Sequence, residues 1–134
     1  MSRLLLDTSA YSAAFRGGEA AKEALRAADE IFLNPIVIGE LLAGFAGGGH
    51  RQKNERELRE FLAAPTVRVL EINEETSGRY AFILNALREA GTPIPTNDIW
   101  IAASAMQHGL ELLTADAHFS KVAQIVVRPI KSNP

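Results

Sequence analysis

The segment Arg3-Leu4-Leu5-Leu6-Asp7-Thr8-Ser9 decides the fold, because an apolar run of strand length ends directly on an aspartate. An apolar run without polar alternation is typical of a strand that is buried on both faces of a parallel sheet. A helical pattern follows from Thr8 to about Phe15. The segment therefore predicts a buried strand, then a helix, with a carboxylate at the junction between them.

Strands and helices alternate along the rest of the chain. The further strand candidates are short and mostly apolar: Glu30 to Leu33, Val67 to Ile72, Leu112 to Thr114, and Ile125 to Arg128. Helical patterns separate them: Ala20 to Ala28, Asn34 to Phe45, Arg51 to Leu62, Asn73 to Gly91, and Thr96 to Gln107, with Asn34, Asn73 and Thr96 as predicted caps. This order predicts a single α/β domain over residues 1–134, with a parallel sheet of about five strands between layers of helices.

Composition narrows the class of protein. The 134 residues are 47% hydrophobic and 22% charged, which predicts a folded globular domain. Because the chain has no cysteine, disulfides, thiolate metal ligands and cysteine nucleophiles are excluded. The net charge of −2 and the pI near 5.9 give no general affinity for nucleic acid. A nucleic-acid substrate would need metal ions or a local basic patch to supply positive charge.

The sequence contains neither a signal peptide nor a membrane-spanning run. Met1-Ser2-Arg3 leads straight into the first strand candidate. No apolar stretch approaches the roughly 18 residues that span a bilayer. We therefore expect a cytoplasmic protein without a membrane partner.

Two aspartates stand where a parallel sheet places its ligands, and a third lies at the start of a helix. Asp7 directly follows the first strand, and Asp116 comes two residues after Thr114, at the end of the fourth. Ligand sites of open parallel sheets lie beyond the carboxyl ends of the strands. Asp98 lies in the first turn of a predicted helix, where the helix dipole stabilises a carboxylate by about 0.3–1 kcal/mol. Taken singly, Asp7 and Asp116 are better explained as helix caps than as catalytic residues, and a first-turn role is an adequate explanation of Asp98.

Glu40 has no such structural explanation. Its helical neighbours are apolar, and no lysine or arginine lies at helical spacing from it. An ionised carboxylate that is buried without a partner costs several kcal/mol, so we expect a partner elsewhere in the fold. The structural alternatives are a salt bridge to a distant arginine or a solvated helix end.

Four carboxylates in one crevice would repel each other and raise each other's pKa values. A divalent cation removes that conflict. Oxygen ligands without cysteine or paired histidines favour Mg²⁺ or Mn²⁺ over zinc. Small acidic crevices that hold such ions mostly carry out phosphoryl transfer, in which the metal activates water and stabilises the leaving oxygen.

Four short segments together resemble the PIN domains, and in particular the VapC toxins of bacterial toxin–antitoxin pairs. The segments stand in the family's order and spacing and cover essentially the whole chain: Leu5-Leu6-Asp7-Thr8-Ser9-Ala10-Tyr11, Ile38-Gly39-Glu40-Leu41-Leu42-Ala43-Gly44, Asn97-Asp98-Ile99-Trp100-Ile101-Ala102-Ala103, and Leu113-Thr114-Ala115-Asp116-Ala117-His118-Phe119. The resemblance implies a three-layer α/β/α sandwich with strand order 3-2-1-4-5. It also implies a homodimer that is inhibited by a cognate antitoxin.

The same resemblance implies a site and a reaction. Its metal would be surrounded by Asp7, Asp98, Asp116 and Glu40, the last either directly or through water. Thr114 would stand behind these ligands. Thr8 and Asn97 are weaker candidates for that position, with helix capping as their alternative role. The implied reaction is endonucleolytic cleavage of RNA by a metal-activated water, leaving a 5′-phosphate and a 3′-hydroxyl.

Two other classes of α/β domain with an acidic site each require a residue that this chain lacks. A phosphate-accepting signalling domain needs an aspartate at the end of its middle strand, and Val67 to Ile72 offers none. A dehalogenase-type phosphatase needs a second aspartate two residues after the first, where this chain has Ser9. Two alternatives stay open: a PIN-like domain that only binds a partner, and a metal-independent ribonuclease that uses histidines.

The remaining polar and aromatic residues give weaker signals. The three histidines, His50, His108 and His118, show no metal-ligand spacing and are expected on the surface, although His118 is close enough to Asp116 to touch a substrate. The basic residues after Gly49 alternate with acids, which predicts the i,i+4 pairs Lys53–Glu57, Glu55–Arg59 and Arg56–Glu60 on a solvated helix. The residues expected in the core or at a dimer contact are Trp100, Ile101 and the group Tyr80, Phe82 and Ile83.

Overall fold

The computed structural model describes residues 2–131 and places five parallel strands in one sheet. The strands are β1 (Arg3–Leu6), β2 (Glu30–Leu33), β3 (Val67–Val69), β4 (Glu111–Thr114) and β5 (Val126–Pro129). Their order in the sheet is β3-β2-β1-β4-β5, and every pair is parallel. The predicted fold class and strand order are confirmed. The predicted domain boundaries at residues 1 and 134 lie outside the described residues.

Six α-helices connect the strands and cover the sheet. They are α1 (Thr8–Phe15), α2 (Glu19–Ala27), α3 (Pro35–Ala46), α4 (Arg51–Leu62), α5 (Glu74–Ala90) and α6 (Thr96–His108). A short 3₁₀ helix, Ala117–Lys121, lies between β4 and β5. Within residues 2–131, none of the helices combines the length and the apolar character that crossing a membrane requires.

The central strand shows why the opening segment decides the architecture. Leu4, Leu5 and Leu6 are all fully buried, although neighbouring residues of a strand point to opposite faces of the sheet. Both faces of β1 are therefore covered. Leu5 is in register with Phe32 of β2 on one side and with Leu112 of β4 on the other. An apolar run without alternation is what this central position requires.

Several predicted element ends differ from the observed ones by one to three residues. β3 ends at Val69 instead of Ile72, because only the Leu70 amide continues the ladder, donating to the Leu33 carbonyl at 2.8 Å. Thr96 does not cap α6: the cap position is taken by Pro95, whose ring fixes φ, here −56°, and which makes no side-chain cap bond. β5 lies one residue later than predicted, at Val126–Pro129. These shifts leave Asp98 in the first turn of α6.

Asn34 joins the two helices that carry Glu40 and Asp98. Its side chain is completely buried and caps α3 by accepting a hydrogen bond from the Val37 amide at 3.1 Å. Its Nδ2 donates to the Ser104 Oγ of α6 at 3.0 Å. One amide therefore sets both the start of α3 and the position of α3 relative to α6.

Asn34→Ala should lower the free energy of unfolding by about 2 kcal/mol, because it removes a helix cap and leaves the buried Ser104 hydroxyl without this partner. Urea unfolding followed by circular dichroism measures the effect. The control is Asn85→Ala, an exposed position on α5, where we expect a change within about 0.5 kcal/mol. Equal effects of the two substitutions would contradict the role of Asn34.

Candidate metal centre

Asp7 lies between β1 and α1 and is held by hydrogen-bond donors. It is only 3% exposed, and its carboxylate caps α1 by accepting from the Ala10 amide at 2.8 Å. The Thr114 hydroxyl donates to it at 2.6 Å and the Ser9 hydroxyl at 2.7 Å. Burial raises the pKa of Asp7, and the nearby Asp116 carboxylate raises it further, while these hydrogen bonds act in the opposite direction. The cap and the site are therefore one arrangement.

Ser9 is a site residue that the sequence analysis missed. Its Oγ donates to Asp7 and accepts a hydrogen bond from the Ala115 amide at 2.9 Å. It also lies 3.3 Å from the Thr114 Oγ1. Ser9 thus links the segment after β1 to the segment after β4. The sequence carries one signal for this role, which is the position of Ser9 two residues after a strand-end aspartate. The same position excludes a dehalogenase-type phosphatase.

Glu40 finds neutral donors rather than an arginine. It projects from α3, half-buried, and its carboxylate accepts a hydrogen bond from the Thr8 hydroxyl at 2.5 Å. The Asn97 Nδ2 of α6 donates to its other oxygen at 3.3 Å. The expected partner exists, and across residues 2–131 Glu40 forms no ion pair with a lysine or arginine. Thr8 and Asn97 orient the Glu40 carboxylate. Neither residue caps its helix, so the predicted alternative of helix capping is wrong for both.

Asp98 occupies the first turn of α6, and its side chain is 14% exposed. Burial raises its pKa to about 6, and repulsion from the Asp116 and Glu40 carboxylates adds to that shift. His118 acts in the opposite direction. Asp98 is thus ionised at neutral pH at a cost in folding stability, because burial and the neighbouring carboxylates outweigh the effect of His118.

Asp116 caps the 3₁₀ helix after β4 and brings His118 to the site. The Asp116 carboxylate accepts from the His118 backbone amide at 2.8 Å. The His118 Nδ1 lies 3.0 Å from an Asp116 oxygen and 3.5 Å from an Asp98 oxygen. We expected His118 on the surface, and its side chain is 47% exposed, yet its ring contacts two of the four carboxylates. Its nearness to Asp116 in sequence was the one signal for this contact.

All four predicted carboxylates line one cavity of about 250 Å³, which we call the acidic cavity. They come from four parts of the chain, and the other lining residues are neutral: Thr8, Ser9, Ser12 and Ile101. No lysine or arginine among the described residues lines this cavity. The donor set consists of carboxylate and hydroxyl oxygens, and the pKa values of two of the acids are raised. Both features fit a hard divalent cation.

A larger cavity of about 540 Å³ adjoins the acidic cavity and shares Thr8, Ser12 and Glu40 with it. We call it the α1–α3–α4 groove, after the helices that line it. Tyr11 and Phe15 are stacked there with ring centroids 4.2 Å apart. The Tyr11 hydroxyl is buried and has no hydrogen-bond partner among residues 2–131. Its burial and the charge of Glu57 raise the pKa of Tyr11.

The basic segment of α4 is paired differently from the prediction. Arg51 and Glu55 form an ion pair at 2.9 Å. Within the described part of the chain, none of the predicted pairs Lys53–Glu57, Glu55–Arg59 and Arg56–Glu60 comes within ion-pair distance.

The predicted aromatic group divides between core and surface. Tyr80 and Trp100 stack between α5 and α6 at 4.2 Å, and Ile83 is buried. Phe82 is exposed. Phe82 would therefore become buried only through a contact beyond residues 2–131.

Comparisons with known proteins agree with the geometry. A family model described as PIN domain matches residues 4–125. The chain is 31% identical over 135 residues to Ribonuclease VapC1 of Rickettsia felis, covering 96% of this chain and 97% of that protein. Ribonuclease VapC4 of Mycobacterium tuberculosis is 32% identical over 92 residues, which are 69% of this chain and 71% of that protein.

Solved structures extend the similarity to three dimensions. FitAcB from Neisseria gonorrhoeae superimposes with a TM-score of 0.75 at 30% identity, covering 92% of this chain and 95% of that one. DNA-bound VapBC from Salmonella typhimurium gives a TM-score of 0.85 at 21% identity, covering 96% and 98%. The second comparison supports the fold alone.

Asp98→Asn should stabilise the metal-free protein at about pH 7.5 and have little effect at about pH 4. An acid whose pKa rises from 3.8 to about 6 on folding is more protonated in the folded state, so stability is lost as the pH rises through that interval. Since one pKa unit corresponds to about 1.4 kcal/mol, the variant's advantage should grow by roughly 2 to 3 kcal/mol. Urea unfolding in EDTA at several pH values measures it.

The control for this prediction is Glu89→Gln, an exposed acid of α5 outside the cavity. Its stability should follow that of the unmodified protein at every pH. A constant difference between Asp98→Asn and the unmodified protein across the pH range would show that the Asp98 charge is not destabilising.

Proposed function

This chain belongs to the PIN domain family, and within it to the VapC-type toxins, and we propose its function from that membership. On that premise it is an endoribonuclease, and it uses Mg²⁺ or Mn²⁺ to cleave RNA, leaving a 5′-phosphate and a 3′-hydroxyl. The observation that carries the proposal is the acidic cavity, which four carboxylates line and to which no lysine or arginine of residues 2–131 contributes. We assign Asp7, Glu40, Asp98 and Asp116 to the metal and to catalysis.

A divalent cation held by these carboxylates supplies a Lewis acid that activates water and stabilises charge on the phosphate. The chain's own contribution is orientation. The hydroxyls of Ser9 and Thr114 and the Ala10 amide all donate to Asp7. These hydrogen bonds hold its oxygens in place and favour the ionised carboxylate. Glu40 is oriented by Thr8 and Asn97 and is half-exposed, which leaves it able to accept a hydrogen bond from the attacking water.

Charge explains why an acidic protein can act on RNA. The net charge of −2 gives no general attraction for phosphate, and the acidic cavity alone would repel it. Neutralisation of the cavity by a cation removes that repulsion at the point of cleavage only. The proposed activity is therefore expected to depend on the metal for substrate approach as well as for chemistry.

Cleavage of RNA by the purified protein should require Mg²⁺ or Mn²⁺ and stop with EDTA. Asp98→Asn should lower the rate at least about 100-fold while circular dichroism shows an intact fold, because it removes a metal ligand. Asp7→Asn should do the same. Gel analysis of a labelled RNA measures the rate, with Glu89→Gln as the matched control.

Two other results separate the alternatives. Activity that survives chelation would favour the histidine-dependent ribonuclease. Absence of cleavage, together with absence of metal binding, would favour a PIN-like domain that only binds a partner.

We further propose that a cognate antitoxin is the protein partner and that it occupies the α1–α3–α4 groove. Two features of the groove support this: its continuity with the acidic cavity and the exposed ring of Phe15. The glutamates Glu40 and Glu57 would attract a basic residue of the partner. The segment that fits is apolar and carries a cation.

Self-association as a homodimer and a cytoplasmic location are also part of the proposal. The exposed Phe82 of α5 supports a contact of this helix with a second copy of the chain. RNA as the substrate supports the cytoplasm.

Expression of this chain should arrest growth, and co-expression of the upstream neighbouring gene should relieve the arrest. Phe15→Asp should keep the toxicity but abolish the relief, because a charge in the groove opposes an apolar segment. Phe15 is 40% exposed and lies in the groove, outside the acidic cavity. Growth curves measure both effects.

The control is Val126→Lys, at a position 65% exposed on the edge strand β5, which should leave both toxicity and relief unchanged. Relief that persists in Phe15→Asp would contradict the groove as the docking surface. It would leave the toxin assignment in place.

A further inference from the structure

We propose that His118 supplies a nitrogen ligand to the cation of the acidic cavity, and that this ligand makes the site select Mn²⁺ over Mg²⁺. The inference rests on the proposed function, because it assigns a residue and a preferred ion to the same site. It adds a ligand of a different chemical class to four carboxylates and so separates two ions that those carboxylates alone would accept.

The distances around His118 are those of neighbouring ligands. Its Nδ1 lies 3.0 Å from an oxygen of Asp116 and 3.5 Å from an oxygen of Asp98. Donor atoms of the three residues all lie within 4.8 Å of one another. Two ligands at right angles on an octahedral ion, each about 2.1 Å from it, stand about 3 Å apart. The imidazole nitrogen therefore occupies a position that a shared cation can reach.

The fold holds the ring at this position. The backbone amide of His118 donates to Asp116 at 2.8 Å, in the first turn of the 3₁₀ helix Ala117–Lys121. The contact between the ring and Asp116 is therefore set locally, by a cap two residues away. The contact with Asp98 joins this helix to α6, which local sequence does not explain.

Asp98 and Asp116 each contact His118 as well as the acidic cavity. Both line the acidic cavity with Asp7 and Glu40, and both contact His118, which is not among the residues that line that cavity. The histidine thus stands at the edge of the cavity, with its side chain 47% exposed. A cation shared by Asp98 and Asp116 would meet oxygen ligands on the inner side and a nitrogen ligand on the outer side.

The ligand type decides the preferred ion. Mg²⁺ demands oxygen ligands and keeps much of its water, whereas affinity for nitrogen donors rises along the first-row divalent ions, beginning with Mn²⁺. A site of carboxylates alone would discriminate weakly between Mg²⁺ and Mn²⁺. With His118 as a ligand, Mn²⁺ gains an interaction that Mg²⁺ accepts poorly.

The same distances also fit a simple ion pair between a protonated His118 and the two aspartates. The two interpretations differ in one observable property. As a ligand, His118 places a nitrogen nucleus directly on the ion, and its spin couples to the electron spin of Mn²⁺. As an ion-pair partner it would be displaced by the cation or would stay unbound to it.

Pulsed electron paramagnetic resonance of Mn²⁺ bound to the full chain tests this directly. We expect ¹⁴N coupling typical of a coordinated imidazole in the unmodified protein, and loss of that coupling in His118→Gln. His108→Gln, at the other end of α6 from Asp98, is the matched control and should retain the coupling. Competition between Mn²⁺ and Mg²⁺, followed by the free Mn²⁺ signal, should show a preference for Mn²⁺ that falls roughly tenfold in His118→Gln.

Each other outcome overturns a defined statement. Mn²⁺ that binds without ¹⁴N coupling, or coupling that persists in His118→Gln, overturns the role of His118 and leaves the metal site intact. Absence of Mn²⁺ binding to the unmodified protein overturns the proposed metal site itself, and the histidine ligand with it. Thermal unfolding of His118→Gln verifies its fold, since the backbone bond to Asp116 does not depend on the side chain.

Discussion

Mutual repulsion among four carboxylates is the constraint on which the rest of this structure depends. Asp7, Glu40, Asp98 and Asp116 line one small cavity, and no lysine or arginine of the described chain lines it with them. Burial and repulsion raise the pKa of Asp98 to about 6 and also raise that of Asp7. The fold holds charges together that would separate in water, and the hydrophobic burial of β1 and its neighbours supplies the stability that this requires.

The architecture gives each carboxylate a rigid support. Asp7 and Asp116 follow adjacent strands, β1 and β4, whose carboxyl ends meet at the same edge of the sheet. Glu40 and Asp98 project from α3 and α6, and these helices are joined by the buried Asn34 side chain. Ser9 and Thr114 connect the two strand ends through Asp7. Strands, helix caps and buried hydrogen bonds therefore fix the positions of these side chains.

Local rules predicted the strands and the helices, whereas the strand order and the grouping of the four carboxylates came from the resemblance to PIN domains. An apolar run marks a buried central strand, and Asp7 and Asp116 were found because strand ends are where ligands bind. Two sets of contacts could not be predicted, because they join residues far apart in the chain. They are the hydrogen bonds of Ser9 to the segment after β4 and the contact of His118 with Asp98. The ion pairs of α4 were predicted wrongly because several partners at i,i+4 spacing are nearly equivalent on an exposed helix.

Capping and metal binding are often treated as competing explanations of a strand-end aspartate, but in this structure the caps leave both roles open to the same carboxylate. The Asp7 carboxylate caps α1 through one oxygen, while its other oxygen accepts a hydrogen bond from Thr114. Asp116 caps the 3₁₀ helix and, through the same cap, brings His118 beside the cavity. A cap fixes the carboxylate's direction through bonds to backbone amides, which no side-chain rotation can remove. Because a metal ligand needs that same fixed direction, the residues that begin these helices are also those best suited to hold a cation.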